Sequence, residues 1–362
     1  MKINFTEYDF TDFLVKEGTF CGIPAKLINP NHIGTKFTQK NKIFRSSIWS
    51  SATNELLSAG FPKFVNFSEN PDNFPVPLII DNCAFVEKID GSLTCIDCFN
   101  NQISMRTRGT FSIDTMENKT DFESCLHKYP KIAEWLKQNS NYTLLCEITT
   151  PKLKIVLDYG NEPDFWLIGA VNKDNYSLMI QSDLDNLGAH LGVKRPESFS
   201  FNSIEELLKE VSAWINREGV CLYSKNSQEI HKIKAELYLR LHRFKENATL
   251  DNTLELFVEY GCPLYQDFEN KLQMQFDYEC WNMIRGYASQ VCDAYKEVLK
   301  IVAHMKELVE PLKLLSRKDA AKKIISSYGG ESNNRSGFCF TLLDNKTLTS
   351  EMYKKLLFQI LK

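Results

Sequence analysis

The sequence has no apolar run approaching the length of a membrane span. Its first residues, Met1-Lys2-Ile3-Asn4-Phe5-Thr6-Glu7, turn polar and acidic before a signal-peptide core could form. It also lacks an excess of positive charge: the formal net charge of −3 argues against a protein that coats nucleic acid, so any such contact must come from a local basic surface. The six histidines form no H-x-x-x-H or Cys/His cluster, which removes a histidine metal centre. There is no G-x-x-x-x-G-K-[ST] loop and no G-x-G-x-x-G, so phosphate chemistry cannot rest on a P-loop or a Rossmann turn. Internal repeats and low-complexity tracts are missing too.

What is present is ordinary for a globular chain. The 362 residues suffice for two cores, with 43% hydrophobic and 25% charged residues. Eleven scattered cysteines without a secretory signal are expected to be reduced thiols of a cytoplasmic protein (host cytoplasm if the source is viral). Cys95-Ile96-Asp97-Cys98 has the spacing of a zinc or redox pair, but no second pair lies at a finger-like distance, which favours two strand cysteines.

Along the chain, the first eighteen residues resemble a short amphipathic helix carrying Tyr8, Phe10, Phe13 and Leu14. A strand is expected near Ile43 to Trp49, and three prolines exclude regular structure between Glu69 and Pro77. From Leu78 to Phe111 the pattern is β, the third strand carrying Met105, Arg106 and Arg108. A helix is expected over Asp121 to Gln138, then strands at Tyr142 to Thr149, Lys154 to Tyr159 and Phe165 to Val171. Helices follow at Leu184 to Leu191 and Ile204 to Ile215, the second opened by Ser203 and Glu206 at capping-box spacing. Strands return at Gly219 to Ser224 and Ile230 to Leu241. After about Lys245 the chain turns helical, most clearly from Tyr278 to Leu315, where Ile284, Ala288, Val291, Val298, Val302 and Met305 recur at helical spacing. Gly329 to Gly337 is a polar loop, and a short helix over Thr349 to Leu361 closes the chain.

The chemistry centres on Phe85-Val86-Glu87-Lys88-Ile89-Asp90-Gly91-Ser92-Leu93-Thr94. Asp-Gly favours a tight hairpin turn, which predicts Lys88 at the end of one strand as the chain folds back into the next. Downstream, Glu147 stands among apolar strand residues and Glu218 sits at a strand entrance. Lys232-Ile233-Lys234 alternates with period two, which puts both lysines on one face. Two adjacent ammonium groups repel unless an anion lies between them, and a triphosphate is a natural candidate.

Lys88-Ile89-Asp90-Gly91, Glu147, Glu218-Gly219 and Lys232-Ile233-Lys234 together resemble motifs I, III, IV and V of the covalent nucleotidyltransferases. The finer resemblance is to the bacteriophage-type RNA ligase 1 family, the tRNA-repair ligases. Phe61-Pro62-Lys63-Phe64-Val65-Asn66, Arg45, and Pro151 with Ile155-Val156-Leu157-Asp158-Tyr159 also match it. The resemblance spans roughly residues 40 to 240 and departs from the family at three places. Arg108 in Arg108-Gly109-Thr110 replaces a lysine, Lys154 stands where an arginine is usual, and Ile168 occupies the place of an adenine-stacking aromatic.

This likeness implies an α+β nucleotidyltransferase domain of mainly antiparallel sheets flanked by helices over residues 1–245. An all-α domain over 246–362 would follow, concerned with RNA-substrate selection. It implies an ATP-dependent RNA ligase that joins 5′-phosphate and 3′-hydroxyl RNA ends, tRNA among the candidate substrates, with Mg²⁺ or Mn²⁺ and no membrane partner. Lys88, Lys232 and Lys234 would be catalytic and Glu218 would hold the metal. ATP would be bound by Glu87 at the adenine edge, Glu147 at the ribose, Asp90 and Gly91 in the turn, Arg45, Lys63 and Arg108 at phosphates, and Ile168. Tyr238 is either core or a neighbour of the nucleotide. Attack by Lys88 requires a neutral amine, yet a free lysine titrates at about 10.4. Lowering that value towards 7 corresponds to roughly 4–5 kcal/mol, which Lys232, Lys234 and a metal are expected to contribute. The alternatives are a DNA ligase, a capping guanylyltransferase or a non-catalytic nucleotide- or RNA-binding relative. The helical character after Lys245 counts against the first two, which usually carry a β-rich domain there. Arg317-Lys318 and Lys322-Lys323 form either a solvated helix face or an RNA-binding patch.

Overall fold

The computed structural model describes residues 1–31, 35–76, 80, 83–151, 156–246, 248–275, 278–328 and 334–361. The chain divides into two compact units, Met1–Arg240 and Leu241–Lys362.

The first unit opens with β1 (Phe13–Phe20), β2 (Ile23–Pro30), β3 (Ser47–Ser50) and β4 (Leu56–Ser58), an antiparallel sheet in that order. The chain then runs through β5 (Val65–Asn66), β6 (Cys83–Glu87), β7 (Ser92–Phe99) and β8 (Gln102–Thr107) to two helices, α1 (Lys119–Lys128) and α2 (Lys131–Gln138). Next come β9 (Tyr142–Thr149), β10 (Asp164–Asn172), β11 (Ser177–Leu178), α3 (Gln181–Leu191), β12 (Ser198–Phe199) and α4 (Ile204–Ser212). β13 (Gly219–Ser224), β14 (Ile230–Lys234) and α5 (Glu236–Glu246) follow. The second sheet has the order β11-β10-β9-β7-β8 and the third β12-β6-β13-β14-β5, antiparallel throughout except for the β14–β5 pair.

Strand alternation decides what each face buries. Leu144, Cys146 and Ile148 of β9 pack with Ile96 of β7, Phe165 and Leu167 of β10 and residues of α1, α2 and α3. The opposite parity, Leu145 and Cys95, joins Val86, Cys221 and Tyr223 of the third sheet in a shared core. Cys95 and Cys98 thus serve opposite faces of β7, and both are buried. The outer face of the third sheet is covered by Leu207 and Val211 of α4. That helix begins where Ser203 Oγ accepts from Glu206 N at 3.1 Å. The Glu206 carboxylate completes the cap one residue earlier, accepting from Asn202 N at 2.6 Å.

A buried polar network ties the first sheet to the second. Arg106, with no exposed surface, donates to Ser58 Oγ (2.7 Å), Ser46 Oγ (2.8 Å) and Ser46 O (2.7 Å). Ser58 and Thr143 donate to Asp97, which is also paired with Lys173 at 3.3 Å. Each charge is satisfied, the condition under which a buried ion group is tolerated.

The second unit contains α6 (Leu250–Glu259), α7 (Tyr265–Gln275), α8 (Tyr278–Val309), α9 (Arg317–Tyr328), α10 (Asn334–Leu343) and α11 (Ser350–Leu361). Ile284, Ala288, Val291, Val298, Val302 and Met305 form the buried stripe of α8, against which α6, α7, α10 and α11 pack.

Several expected elements take another form. The first eighteen residues hold a 3₁₀ turn, Phe5–Glu7, and most of β1. Tyr8, Phe10 and Phe13 meet Phe44 in an aromatic cluster, and pairing with β2 overrides the weak helical pattern. The strand near Ile43 to Trp49 starts only at Ser47, because Ser46 takes a left-handed φ of 70°. Pro130 divides the helix expected over Asp121 to Gln138. Val156 to Tyr159 is not a strand, and the start of that segment, with Lys154 and Ile155, lies outside the described residues. β14 ends at Lys234, so Tyr238 sits in the first turn of α5 rather than on a strand. Of the polar loop, Asn334 onward is helical, and 329–333 lie outside the described residues.

Candidate active site

The largest correction concerns Lys88-Ile89-Asp90-Gly91. β6 and β7 do not pair with each other: β6 belongs to the third sheet and β7 to the second, so the segment is a crossover rather than a hairpin. Gly91 is not among the positive-φ glycines. It is required for another reason, since a Cβ there would stand 2.4 Å from Ile148 O. Asp90 is buried and works as an acceptor. Its Oδ2 receives Val156 N (2.9 Å) and Leu157 N (3.0 Å), and its Oδ1 receives the Tyr238 hydroxyl (2.7 Å). Asp90 N donates to the Tyr159 hydroxyl at 2.9 Å. The crossover is therefore pinned from two directions, with Lys88 N bonded to Gly219 O at 2.9 Å.

Because β6, β13 and β14 are neighbours, register places Cys221 opposite both Val86 and Lys232, and Gly219 opposite Lys234. Gly219 holds a φ of +151°, and a Cβ there would meet Ile233 O at 2.0 Å, so the strands can approach only with glycine at this position. Glu218, immediately before, is 2% exposed and bridges two lysines. Lys88 Nζ donates to its Oε2 at 2.8 Å, and Lys234 Nζ lies 2.9 Å from its Oε1.

A cleft of about 570 Å³ opens between the second and third sheets. Of the expected site residues, Lys88, Lys232, Lys234, Glu87, Gly91, Glu147, Arg45, Arg108 and Ile168 line it. Three do not. Glu218 lies behind its two lysines, Asp90 lies beneath the crossover, and Lys63 is set back with its ammonium 5.3 Å from the Phe37 ring. A bulge between Leu167 and Gly169 re-aims β10 at Ile168. Phe64, unassigned from sequence, lines the cleft with Arg45 over its ring at 4.9 Å and Lys232 at 5.6 Å. Arg217, also missed, stacks on Phe199 (4.8 Å) and Trp214 (5.3 Å) beside Glu87. Its only sequence signal was adjacency to Glu218.

The electrostatics reverse one expectation. Burial would lower the pKa of Lys88, but the carboxylates of Glu218 and Glu147 outweigh it and hold the amine above the ordinary lysine value. The weakened cation is Lys232. Burial, then Lys234, Lys88, Arg45 and Lys63, draw it down to about 8. Burial likewise lifts Glu147 to about 7 against the pull of Lys88. The sequence contained all of these charges, but not that Glu218 would sit between Lys88 and Lys234. In the second unit, Arg317 of the expected basic patch pairs with Asp344 at 2.7 Å, leaving Lys318, Lys322 and Lys323 to carry its charge along α9.

Three mainly antiparallel sheets flanked by helices, with this cleft between two of them, define an α+β nucleotidyltransferase domain of the ligase type. The family can be named as well: the RNA ligase model matches residues 37–250, more than half of the chain, and the chain belongs to that family. A protein of Autographa californica nuclear polyhedrosis virus described as a putative bifunctional polynucleotide kinase/RNA ligase is 26% identical over 238 residues. That match takes in 60% of this chain and 33% of the viral protein, so the chain spans about a third of that relative. The RNA ligase of Rhodothermus phage RM378 is 24% identical over 351 residues, covering 73% of this chain and 78% of the phage protein. Among solved structures, an archaeal ATP-dependent RNA ligase aligns over 92% of this chain and 93% of its own, at 14% identity and a TM-score of 0.47. A Naegleria gruberi RNA ligase variant with ATP and Mn aligns over 67% and 84%, at 16% identity and 0.42.

Proposed function

We propose that this chain is an ATP-dependent RNA ligase that joins 5′-phosphate and 3′-hydroxyl RNA ends through a lysyl-AMP intermediate on Lys88. The observation that carries the reading is the Lys88–Glu218–Lys234 bridge at the wall of a cleft large enough for a nucleoside triphosphate. Family membership and the phage relative support RNA as the substrate class.

In the first step the neutral Lys88 amine attacks the α-phosphorus of ATP. An N–P bond forms as the nitrogen gives up one proton to solvent, the bond to the bridging oxygen breaks, and pyrophosphate leaves. An RNA 5′-phosphate oxygen then displaces Lys88 from AMP, and a 3′-hydroxyl attacks the activated 5′-phosphorus, giving up its proton and releasing AMP. Glu218 holds Lys88 protonated while its carboxylate is free to pair. Once that charge is engaged elsewhere, burial and the neighbouring cations favour the neutral amine. Lys232, Lys234 and Arg45 face the polyphosphate, Glu147 takes the ribose hydroxyls, and Glu87 reads the adenine edge. Ile168 offers an aliphatic face to the base, and Arg108 is placed for a phosphate.

Among the described residues no group of three or more His, Cys, Asp or Glu could hold a metal alone. Glu218, whose two carboxylate oxygens pair here with Lys88 and Lys234, would hold Mg²⁺ or Mn²⁺ only on release from those lysines, and the cation would supply charge neutralisation at the reacting phosphate. The second unit is assigned to RNA selection through Lys318, Lys322 and Lys323, and tRNA repair is the setting that the phage-type resemblance suggests. No helix among the described residues is long and apolar enough to cross a membrane, and the ten described cysteines are all free, which fits work in a reducing cytoplasm.

The test is incubation with α-labelled ATP and Mg²⁺. Wild type should form a covalent AMP adduct that Lys88→Ala abolishes and that Glu218→Ala and Lys234→Ala each reduce by about 100-fold or more. An adduct surviving in Lys88→Ala would end the assignment. No adduct in wild type would favour a binding protein, and labelling by GTP alone would favour capping.

A further inference from the structure

Glu87 lines the cleft, and something must hold its carboxylate there. Three segments converge beside it. Glu87 N donates to Glu197 O at 2.8 Å, just before β12, whose Ser198 and Phe199 pair with Val86 and Phe85. From the turn after α4 comes Trp214, its ring 4.8 Å from that of Phe199. Arg217, entering β13, lays its guanidinium over both rings. Its Nη2 is 2.5 Å from Glu197 Oε2, and its Nε is 3.9 Å from Glu87 Oε1. A planar cation stacked on two rings and tied to a carboxylate has little rotational freedom left, so the edge it presents to Glu87 is set in advance.

The charge of Glu87 itself says what it can face. Among the cleft residues, Lys232, Lys234 and Arg45 attract phosphates, whereas the Glu87 carboxylate repels them. The uncharged nucleobase is left for the carboxylate. An acceptor-only group there favours a purine with an amino group at C6, a donor, over one with an oxo group, a second acceptor.

We propose that Arg217 is a positioning residue that sets the orientation of the Glu87 carboxylate and thereby the preference for a 6-amino purine nucleotide. Burial, with the charge of Glu197, raises the pKa of Glu87, and Arg217 opposes the rise. The proposal rests on the reading of Glu87 as the base-facing group, and the substrate pair below separates the two.

The experiment compares single-turnover formation of the AMP-type adduct from ATP and from purine riboside triphosphate, which differs only in lacking the 6-amino group. It uses the full chain of wild type, Arg217→Met and Arg217→Lys. In wild type, kcat/KM for ATP should exceed that for the analogue by about 10-fold or more, as expected for one hydrogen bond to a charged acceptor. Arg217→Met should bring the ratio below about 3-fold, and Arg217→Lys, which keeps charge without the stacked plane, should recover part of it. Equal losses on both substrates, with the ratio intact, would show a purely structural arginine and overturn the proposal. A ratio near one already in wild type would overturn the reading of Glu87 and the proposal with it.

Discussion

Lys232→Met should stabilise the protein while disabling it. Lys232 is a partly buried ammonium ringed by Lys234, Lys88, Arg45 and Lys63, and its pKa is drawn down to about 8. Against an unfolded value of about 10.5, the shift corresponds to at most about 3.4 kcal/mol, and relaxation and solvent screening bring that to about 2 kcal/mol. The folded pKa is the lower one, so the destabilisation is fully present below pH 8 and fades as the pH rises towards 10.5. Methionine keeps the apolar stem and removes the charge. At pH 7 the Tm of the first unit should therefore rise by about 4–8 °C, and the gain should shrink between pH 8 and 10. Adduct formation should fall by about 100-fold, the pattern expected where a site holds strained charge for an anionic ligand. Competitive acetylation with mass spectrometry offers a second reading. At pH 7.5 about a quarter of Lys232 is neutral, against about one in 800 for an ordinary lysine, so it should label fast without ATP and slowly with it. A variant that is less stable, or a gain that does not change with pH, would refute this account. So would Lys88 labelling faster than Lys232.

Other perturbations follow from the same geometry. Gly91→Ala brings a methyl against Ile148 O, in a crossover that Asp90 holds rigidly, so a loss of about 2–4 kcal/mol in urea unfolding and loss of the adduct are expected. An unchanged urea midpoint would mean that the crossover yields. In the second unit, Lys318→Glu with Lys322→Glu and Lys323→Glu should lower joining of structured RNA by about 10-fold or more while leaving lysyl-AMP formation intact. Equal joining by variant and wild type would remove α9 from substrate selection.

The order of chemistry-bearing residues could be read without a structure. Lys232 and Lys234 share one side of β14 because strand alternation aims residues two apart the same way, a local property of the backbone. The same periodicity located β9, β10, β13 and the buried stripe of α8. It could not separate Arg106 from Arg108. Two residues apart and alike in type, one is sealed among Ser46, Ser58 and Thr107, and the other lines the cleft. Nor could a turn dipeptide reveal that Asp90-Gly91 joins two different sheets, because that depends on what β6 and β7 pair with far away in the chain.

The residues alone determined the charge inventory, the strand and helix periods and the family, because these depend on identity and near spacing. Tertiary structure decided which charges face which. It set Glu218 between Lys88 and Lys234, which leaves Lys88 a strong cation and Lys232 the weak one. It also laid Arg217 across two rings beside Glu87. Coulombic energy varies with distance and with the surrounding dielectric, and both come into being only when remote segments meet.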